Sequence, residues 1–247
     1  MLFSIITVTY NAQQVLPPTL ESVREQTFRD FEYLVIDGAS TDNTLQLVDN
    51  AGIATTTVWS EPDKGLYDAM NKAIDRAQGK YLIFLNAGDT FASPETLAHI
   101  ALKAQDDPDV IYGQTQLVDA DRKVVGMRHL TAPKQLDWTS FKDGMLVCHQ
   151  AFIAKREICP HYDLAYRFSA DYDWCIKVLR KSDNNTYVGD TPIISFLNDG
   201  GLTTKNHKRS LKERYRIMCH YYGTIPTTLR HLKFAIRHMV RKLNLTN

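Results

Sequence analysis

The stretch that decides the fold is "SEPDKGLYDAMNKAIDRAQGKYLIFLNAGD", Ser60 to Asp89. Leu66, Met70, Ala73, Ile74 and Ala77 recur at helical spacing, and Gly79 stands where that helix should stop. "KYLIFLN" follows as a near-continuous apolar run, the pattern of a strand buried on both faces. It breaks off at Asn86-Ala87-Gly88-Asp89, a small turn that ends in a carboxylate. A helix that stops and feeds a doubly buried strand is part of a βαβ unit, so a parallel sheet covered by helices on both faces is predicted.

The same alternation runs toward the N-terminus. "LFSIITVTY" (Leu2–Tyr10), "FEYLVID" (Phe31–Asp37) and "TTTVWS" (Thr55–Ser60) read as strands. Between them, Pro17 and Pro18 open one helix and a second runs from Asp42 toward Asn50, with Asp42 as its cap. Ligands of such sheets bind at the carboxyl ends of the strands. Those ends carry Thr9-Tyr10-Asn11, Asp37, Glu61, Asp63, Asn86 and Asp89. Carboxylates crowded on one rim repel one another, which points to a cation or polar ligand among them.

Past residue 110 the alternation breaks. "VIYGQTQLVDADRKVVGMRHL" reads as a hairpin around Asp119-Ala120-Asp121, and "GMLVCHQAFIAKR" as one apolar strand. "SADYDWCIKVLRK" is a helix with Asp171 and Asp173 at its N-terminus, and "TPIISFLNDGGLTT" a strand running into a turn at Gly200-Gly201. Asp171 and Asp173 lie two residues apart, so a helix points them in different directions. One can serve as a base and the other as a structural partner. His149, Asp173 and Trp174 are candidate acceptor or phosphate contacts. Trp138, Tyr172 and Trp174 could stack on a sugar face, although aromatics beside a helix usually belong to the core.

The chain has 247 residues, 44% hydrophobic and 23% charged, as expected of a soluble globular protein. No apolar run approaches a membrane span, and "MLFSIITVTYN" reads as a first core strand rather than a leader. Cys148, Cys159, Cys175 and Cys219 have neither metal-knuckle nor redox-pair spacing, so reduced thiols in a cytoplasmic protein are expected. The net charge of +1 hides an asymmetry. Residues 205–247 hold eleven Lys and Arg against Glu213 alone, a charge of +10 that leaves −9 on residues 1–204.

Four signatures now stand in order: "SIITVTYNAQ", "VIDGASTDNT", the Ser60–Asp89 stretch and "SADYDW". Together they resemble family 2 glycosyltransferases of the GT-A fold, nearest the subgroup that builds bacterial O-antigen and exopolysaccharide repeat units. The resemblance covers roughly residues 2–202, and with the charge asymmetry it divides the chain into a catalytic domain, 1–204, and a basic helical extension, 205–247. Within the domain, 1–110 would bind a nucleotide-sugar and 111–204 the acceptor. It implies inverting transfer from a nucleotide-diphosphate sugar, a UDP-sugar favoured, to a hydroxyl of a lipid-linked glycan. It implies that Thr9, Tyr10, Asn11 and Asn86 line the donor pocket, that Asp37 meets the base and that Asp63 sits near the ribose or base. Asp171 matches the catalytic base. Asn86 and Gly88 stand where the family often has carboxylates, and Met70 where many members have Arg. Asp89 therefore remains the one acidic candidate in that turn for Mg²⁺ or Mn²⁺.

Three other readings were weighed against this one. A nucleotidyltransferase typically opens with a glycine-rich loop after strand one, and "TYNAQQ" has no glycine. A dinucleotide oxidoreductase needs GxGxxG, which is absent. A sugar- or nucleic-acid-binding module without catalysis is kept open by Gly88. The final helix, "TTLRHLKFAIRHMVRKLNL", places Leu229, Leu232, Ile236, Met239, Val240 and Leu243 in an arc of about 100°. Arg230, Lys233, Arg237 and Arg241 fall in one of about 80°. Such a helix suits the inner face of an anionic membrane, or else docks on the catalytic domain or a second subunit.

Overall fold

The computed structural model describes residues 1–197 and 206–244, with side chains of the last helix described as far as Phe234 and at Ile236. Four strands form the first half of the sheet: β1 (Phe3–Thr9), β2 (Phe31–Asp37), β3 (Thr56–Ser60) and β4 (Tyr81–Phe84). They pair in the order β3-β2-β1-β4, all parallel. The links are α1 (Leu16–Arg24), α2 (Thr44–Asn50) and α3 (Leu66–Arg76). The chain steps outward from β1 to β3 and then returns past β1 to β4. Right-handed crossovers therefore put α1 and α2 on one face and α3 on the other. β1, β2 and β4 are buried at every residue, which is why they read as unbroken apolar runs.

The second half adds β5 (Thr90–Phe91), α4 (Thr96–Ala104), β6 (Val110–Val118), β7 (Val124–Met127), β8 (Phe152–Lys155), α5 (Ala170–Leu179) and β9 (Asn185–Leu197). The sheet continues β4-β8-β6-β9-β5. β8 is antiparallel to both β4 and β6, whereas β6 and β9 are parallel. β6 and β7 form the predicted hairpin.

Two details differ from the sequence reading. Gly79 does not end α3 in a left-handed cap, for the helix stops at Arg76 with Ala77 extended. Gly79 instead lies against β1, where an added Cβ would stand 2.5 Å from the Ser4 nitrogen and the Phe3 carbonyl carbon. The buried Glu32 finishes the helix end, its Oε1 accepting from Gln78 N, Gly79 N and the Ser4 hydroxyl. The run "GMLVCHQAFIAKR" is not one strand either. Only Phe152–Lys155 pairs, and His149–Ala151 form a 3₁₀ turn closed by Ala151 N donating to Cys148 O at 2.9 Å. A buried turn and a buried strand present the same apolar letters.

The basic segment begins with α6 (His207–Tyr222), which packs on the body. Ser210, Ile217 and Met218 are buried, and Glu213 accepts from the amides of Arg167 and Phe168 at 3.0 and 2.8 Å. Tyr221 donates to Asp173 and Tyr222 to the Trp138 carbonyl. Lys205 and the Gly200-Gly201 turn lie outside the described residues. α7 (Thr224–Asn244) follows after Gly223.

Candidate active site

Strand order reverses beside β1, where β2 leads one way and β4 the other. A switch point of this kind opens a crevice at the strand ends, because the outgoing loops part in opposite directions. A cleft of about 550 Å³ lies there. β1 contributes Tyr10 and Asn11, β4 contributes Asn86 through Asp89, and the 3₁₀ turn contributes Cys148, His149 and Gln150. Asp171, Arg128 and Arg214 complete its charged lining.

Gly88 adopts φ +101° in the turn after β4, a backbone state open to glycine and strained for other residues. Its amide donates to Thr19 Oγ1 and its carbonyl accepts from Arg122 Nη1, so the turn is held from both sides. Asp89 is 5% exposed. Its Oδ2 accepts from Gln150 Nε2 at 2.6 Å and its Oδ1 from Leu197 N at 3.3 Å. Gln150 is itself oriented by the Cys148 thiol, which donates to Oε1 at 2.8 Å. Burial pushes that thiol up to about 11, so it stays protonated and keeps donating. Beside Asp89, the buried Asn86 Oδ1 has no hydrogen-bond partner among the described residues, an acceptor left without a donor there.

Asp171 sits in the first turn of α5 and lines the cleft. Its Oδ1 accepts from the Tyr67 hydroxyl at 3.1 Å and from Tyr172 N at 2.9 Å. Its Oδ2 takes no hydrogen bond from a described residue. Asp173 points elsewhere. It is 3% exposed, accepts from the Tyr221 hydroxyl at 2.8 Å and pairs with Lys177 at 2.7 Å. The helix thus divides the two acids between cleft and core, and Asp173 is not placed to touch an acceptor.

Trp174 is also removed from any sugar. It is fully buried, donates to the Pro160 carbonyl at 2.8 Å and stacks on Tyr162 at 5.1 Å. His149 does line the cleft, but its ring stacks on Phe84 and its Nε2 shares a 2.6 Å hydrogen bond with the Tyr162 hydroxyl. Burial lowers its pKa to about 4, so it is neutral at pH 7 and offers no charge to a phosphate.

The rim carboxylates do not share a cation-sized hole. Each has protein donors instead. Asp37 is fully buried and accepts from Thr9 Oγ1, Ser40 N, Ser40 Oγ and Ser60 Oγ. Burial pushes its pKa up, and the hydrogen bonds from Ser40, Ser60 and Thr9 outweigh that and hold it below the usual carboxylate range. Asp63 accepts from Gly65 N at 2.7 Å and lies over Gly38, where a Cβ would come within 2.5 Å of its Oδ2. Glu61 is exposed and pairs with Lys72 and Arg76. Thr9 is buried behind the pocket, its hydroxyl serving Asp37, whereas Tyr10 is 68% exposed at the mouth. Asn11 takes φ +48°, and its Oδ1 accepts from Thr41 N.

Among the described residues no group of three or more His, Cys, Asp or Glu is arranged for a metal. What the turn offers a hard cation is one carboxylate, Asp89, and the unpartnered amide oxygen of Asn86. Mg²⁺ commonly takes one or two carboxylates and completes its shell with substrate phosphates and water, so this donor set fits such an ion only when a diphosphate is present.

Polar lining residues that the sequence reading did not put forward include Tyr67, Gln150, Arg128 and Arg214. Arg128 Nη1 donates to the carbonyls of Leu130 and Leu146. Arg214 reaches the cleft from α6 with its Nε buried and without a partner among the described residues, its guanidinium 5.9 Å from the Tyr172 ring. A signal for it existed. Arg214 falls between Ser210 at i−4 and Ile217 and Met218 at i+3 and i+4, so a lone cation interrupts the buried stripe of its helix.

Residues 4–163 match the family described as glycosyl transferase family 2. One relative, "PGL/p-HBAD biosynthesis glycosyltransferase" of Mycobacterium bovis (strain BCG / Pasteur 1173P2), is 33% identical over 82% of this chain and 79% of its own length. "UDP-Glc:alpha-D-GlcNAc-diphosphoundecaprenol beta-1,3-glucosyltransferase" of Escherichia coli is 24% identical over 83% of this chain and 76% of its own. The crystal structure of S. aureus TarS 1-349 in complex with UDP-GlcNAc superposes with a TM-score of 0.71. At 18% identity, over 97% of this chain and 73% of that one, it is a likeness of fold.

Proposed function

Because this chain belongs to glycosyltransferase family 2, we propose that it moves a sugar from a UDP-sugar to a hydroxyl of a lipid-linked glycan, with inversion, in bacterial surface polysaccharide assembly. Membership sets aside the nucleotidyltransferase and oxidoreductase readings. The observation that carries the proposal is the shared lining of one cleft. Asp171, one oxygen of which is unengaged by described residues, faces the same space as the Asn86–Asp89 turn and two guanidiniums. The UDP-sugar and the lipid-linked acceptor are supported by the name of the Escherichia coli relative, and UDP also by the ligand of the TarS structure.

In this reading the acceptor oxygen bonds to the anomeric carbon from the face opposite the diphosphate. The bond from that carbon to the β-phosphate oxygen breaks, and its electron pair leaves with UDP. The hydroxyl proton passes to Asp171, which Tyr67 holds in place. Arg128 and Arg214 stand where positive charge offsets the charge that grows on the leaving group. A divalent cation held by Asp89 and Asn86 Oδ1 would add to that neutralisation. Tyr10, Asn11 and Asp63 then form the nucleoside end, at the mouth beside β1 and β2, and the buried Asp37 braces it from beneath through Thr9, Ser40 and Ser60. The lipid carrier sets the reaction at the inner face of the cell membrane. No helix among the described residues is long and apolar enough to cross one.

The test compares Asp171→Asn with Asp173→Asn. Losing the base should lower turnover by about 10²–10⁴-fold and leave UDP affinity within about twofold. Asp173→Asn should cost stability and keep turnover per folded molecule. Near-wild-type turnover in Asp171→Asn removes it as the base, and loss confined to Asp173→Asn reverses the assignment.

A further inference from the structure

α7 is turned the wrong way round for a helix that serves only its own fold. An amphipathic surface helix normally lays its apolar stripe on the core. Here the docked side carries Thr227, which is 1% exposed, the half-buried His231 and Phe234, and Arg230, which pairs with Asp143. His231 packs edge-on against Tyr215 of α6 at 5.1 Å, and Tyr215 shares a hydrogen bond with Thr228. The opposite side carries Ile225, Leu229, Leu232 and Ile236, exposed by 76, 63, 58 and 50%. At 100° per residue these four fall within about 60° of arc, roughly opposite the Thr227–His231–Phe234 side. The apolar stripe therefore faces away from the protein.

The geometry points to an anionic lipid surface as the occupant of that stripe, with α7 lying in the plane of the membrane. Charge selects it. Residues 205–247 carry a formal +10 against −9 on the rest, and Lys233 is exposed about 40° round the helix from Leu229, flanking the stripe on its basic side. A second copy of the chain would have to bring another +10 segment against this one. A bilayer with anionic headgroups instead accepts the apolar side chains and neutralises the flanking cations. The surface is coupled to the cleft. α7 packs on α6, and α6 carries Arg214 into the cleft lining while Glu213 and Ser210 hold the residues just before Asp171. A membrane-bound α7 thus fixes the cleft close to the lipid surface, where a lipid-carried acceptor is presented. Vesicle binding itself does not depend on the transferase reading.

Deleting residues 205–247 would strip Glu213, Arg214 and Tyr221 from the body, so the test uses exposed point variants of the full chain. Leu229→Gln/Leu232→Gln is compared with wild type by co-sedimentation with phosphatidylglycerol–phosphatidylethanolamine vesicles and with pure phosphatidylcholine vesicles. Wild type should bind the anionic vesicles, several-fold more weakly the neutral ones, and partly resist 0.5 M salt, about three to five times physiological strength. The double variant should bind at least about tenfold more weakly, with unchanged circular dichroism. Equal binding by both proteins, or none by wild type, overturns the proposal. So does a wild-type dimer in sedimentation velocity that dissociates in the double variant, which would assign the stripe to a second copy. Lys233→Gln should weaken anionic binding alone, and equal loss on neutral vesicles contradicts the charge argument.

Discussion

The two halves of the sheet present their chemistry differently. In residues 1–110 each candidate lies where a parallel strand ends: Asn11 after β1, Asp37 at the end of β2, Asp63 beyond β3, Asn86 and Asp89 after β4. In the second half the cleft residues come from a hairpin strand's end, a 3₁₀ turn, a helix N-terminus and a helix of the basic extension. The first half shows where a ligand goes, because topology alone sets the crevice. The second half decides what each lining residue can do, through contacts that no spacing records. Asp89 has its orientation from Gln150, and Asp173 is withdrawn from the cleft by Tyr221 and Lys177.

The largest effect expected tests that division at Trp174. If it is core, as its stacking on Tyr162 and edge contacts to Phe84, His149 and Phe152 indicate, Trp174→Ala should cost about 3–5 kcal/mol in chemical denaturation. Unchanged stability with a raised KM for acceptor would return it to the sugar.

His149 gives the next effect, through pH. Its folded pKa of about 4 lies below the unfolded value near 6.5, so below pH 6.5 the unfolded chain takes up a proton that the folded chain refuses. Stability from this group is fully present above about pH 6.5 and falls as pH drops toward 4, by about 3 kcal/mol in order of magnitude. Denaturation midpoints of wild type and His149→Gln across that window should differ in slope, the variant being flatter. Parallel slopes would mean that His149 is not the buried neutral group described.

Asp89 and Asn86 test the turn itself. Asp89→Ala should weaken metal-supported UDP binding by about ten- to a hundredfold, and Asn86→Ala by less, since only the carboxylate offers a charged oxygen. Asp89→Ala binding that is equal to wild type, in metal and in chelator, would remove Asp89 from any cation.

The smallest effect concerns the extension as part of the body. Glu213→Gln keeps one acceptor oxygen and sets an NH2 donor against the amide that the other oxygen served, so a loss of about 1 kcal/mol is expected. A loss near zero would loosen α6 from the body and weaken the case for Arg214 as a cleft residue.

Much of this was legible in the letters. The βαβ order, the hairpin at Asp119–Asp121 and the different headings of Asp171 and Asp173 follow from period and spacing. The rim spacing did not reveal that Asp37 is withdrawn from any shared ligand, since Ser40, Ser60 and Thr9 satisfy it. The Thr9 and Ser60 contacts join residues 28 and 23 positions apart. The apolar stripe of α7 was legible, but its outward direction was not, since period gives a face and only packing gives its heading.

The central claim is that the β1/β4 cleft holds a nucleoside diphosphate and delivers the attached sugar to Asp171's side. Calorimetric titration with UDP, GDP and dTDP, in Mn²⁺ and in chelator, tests it most directly on wild type and Asp171→Asn. The account predicts that UDP binds both proteins alike and more tightly with metal. No binding of any of the three with metal present would contradict it, as would UDP binding that disappears in Asp171→Asn.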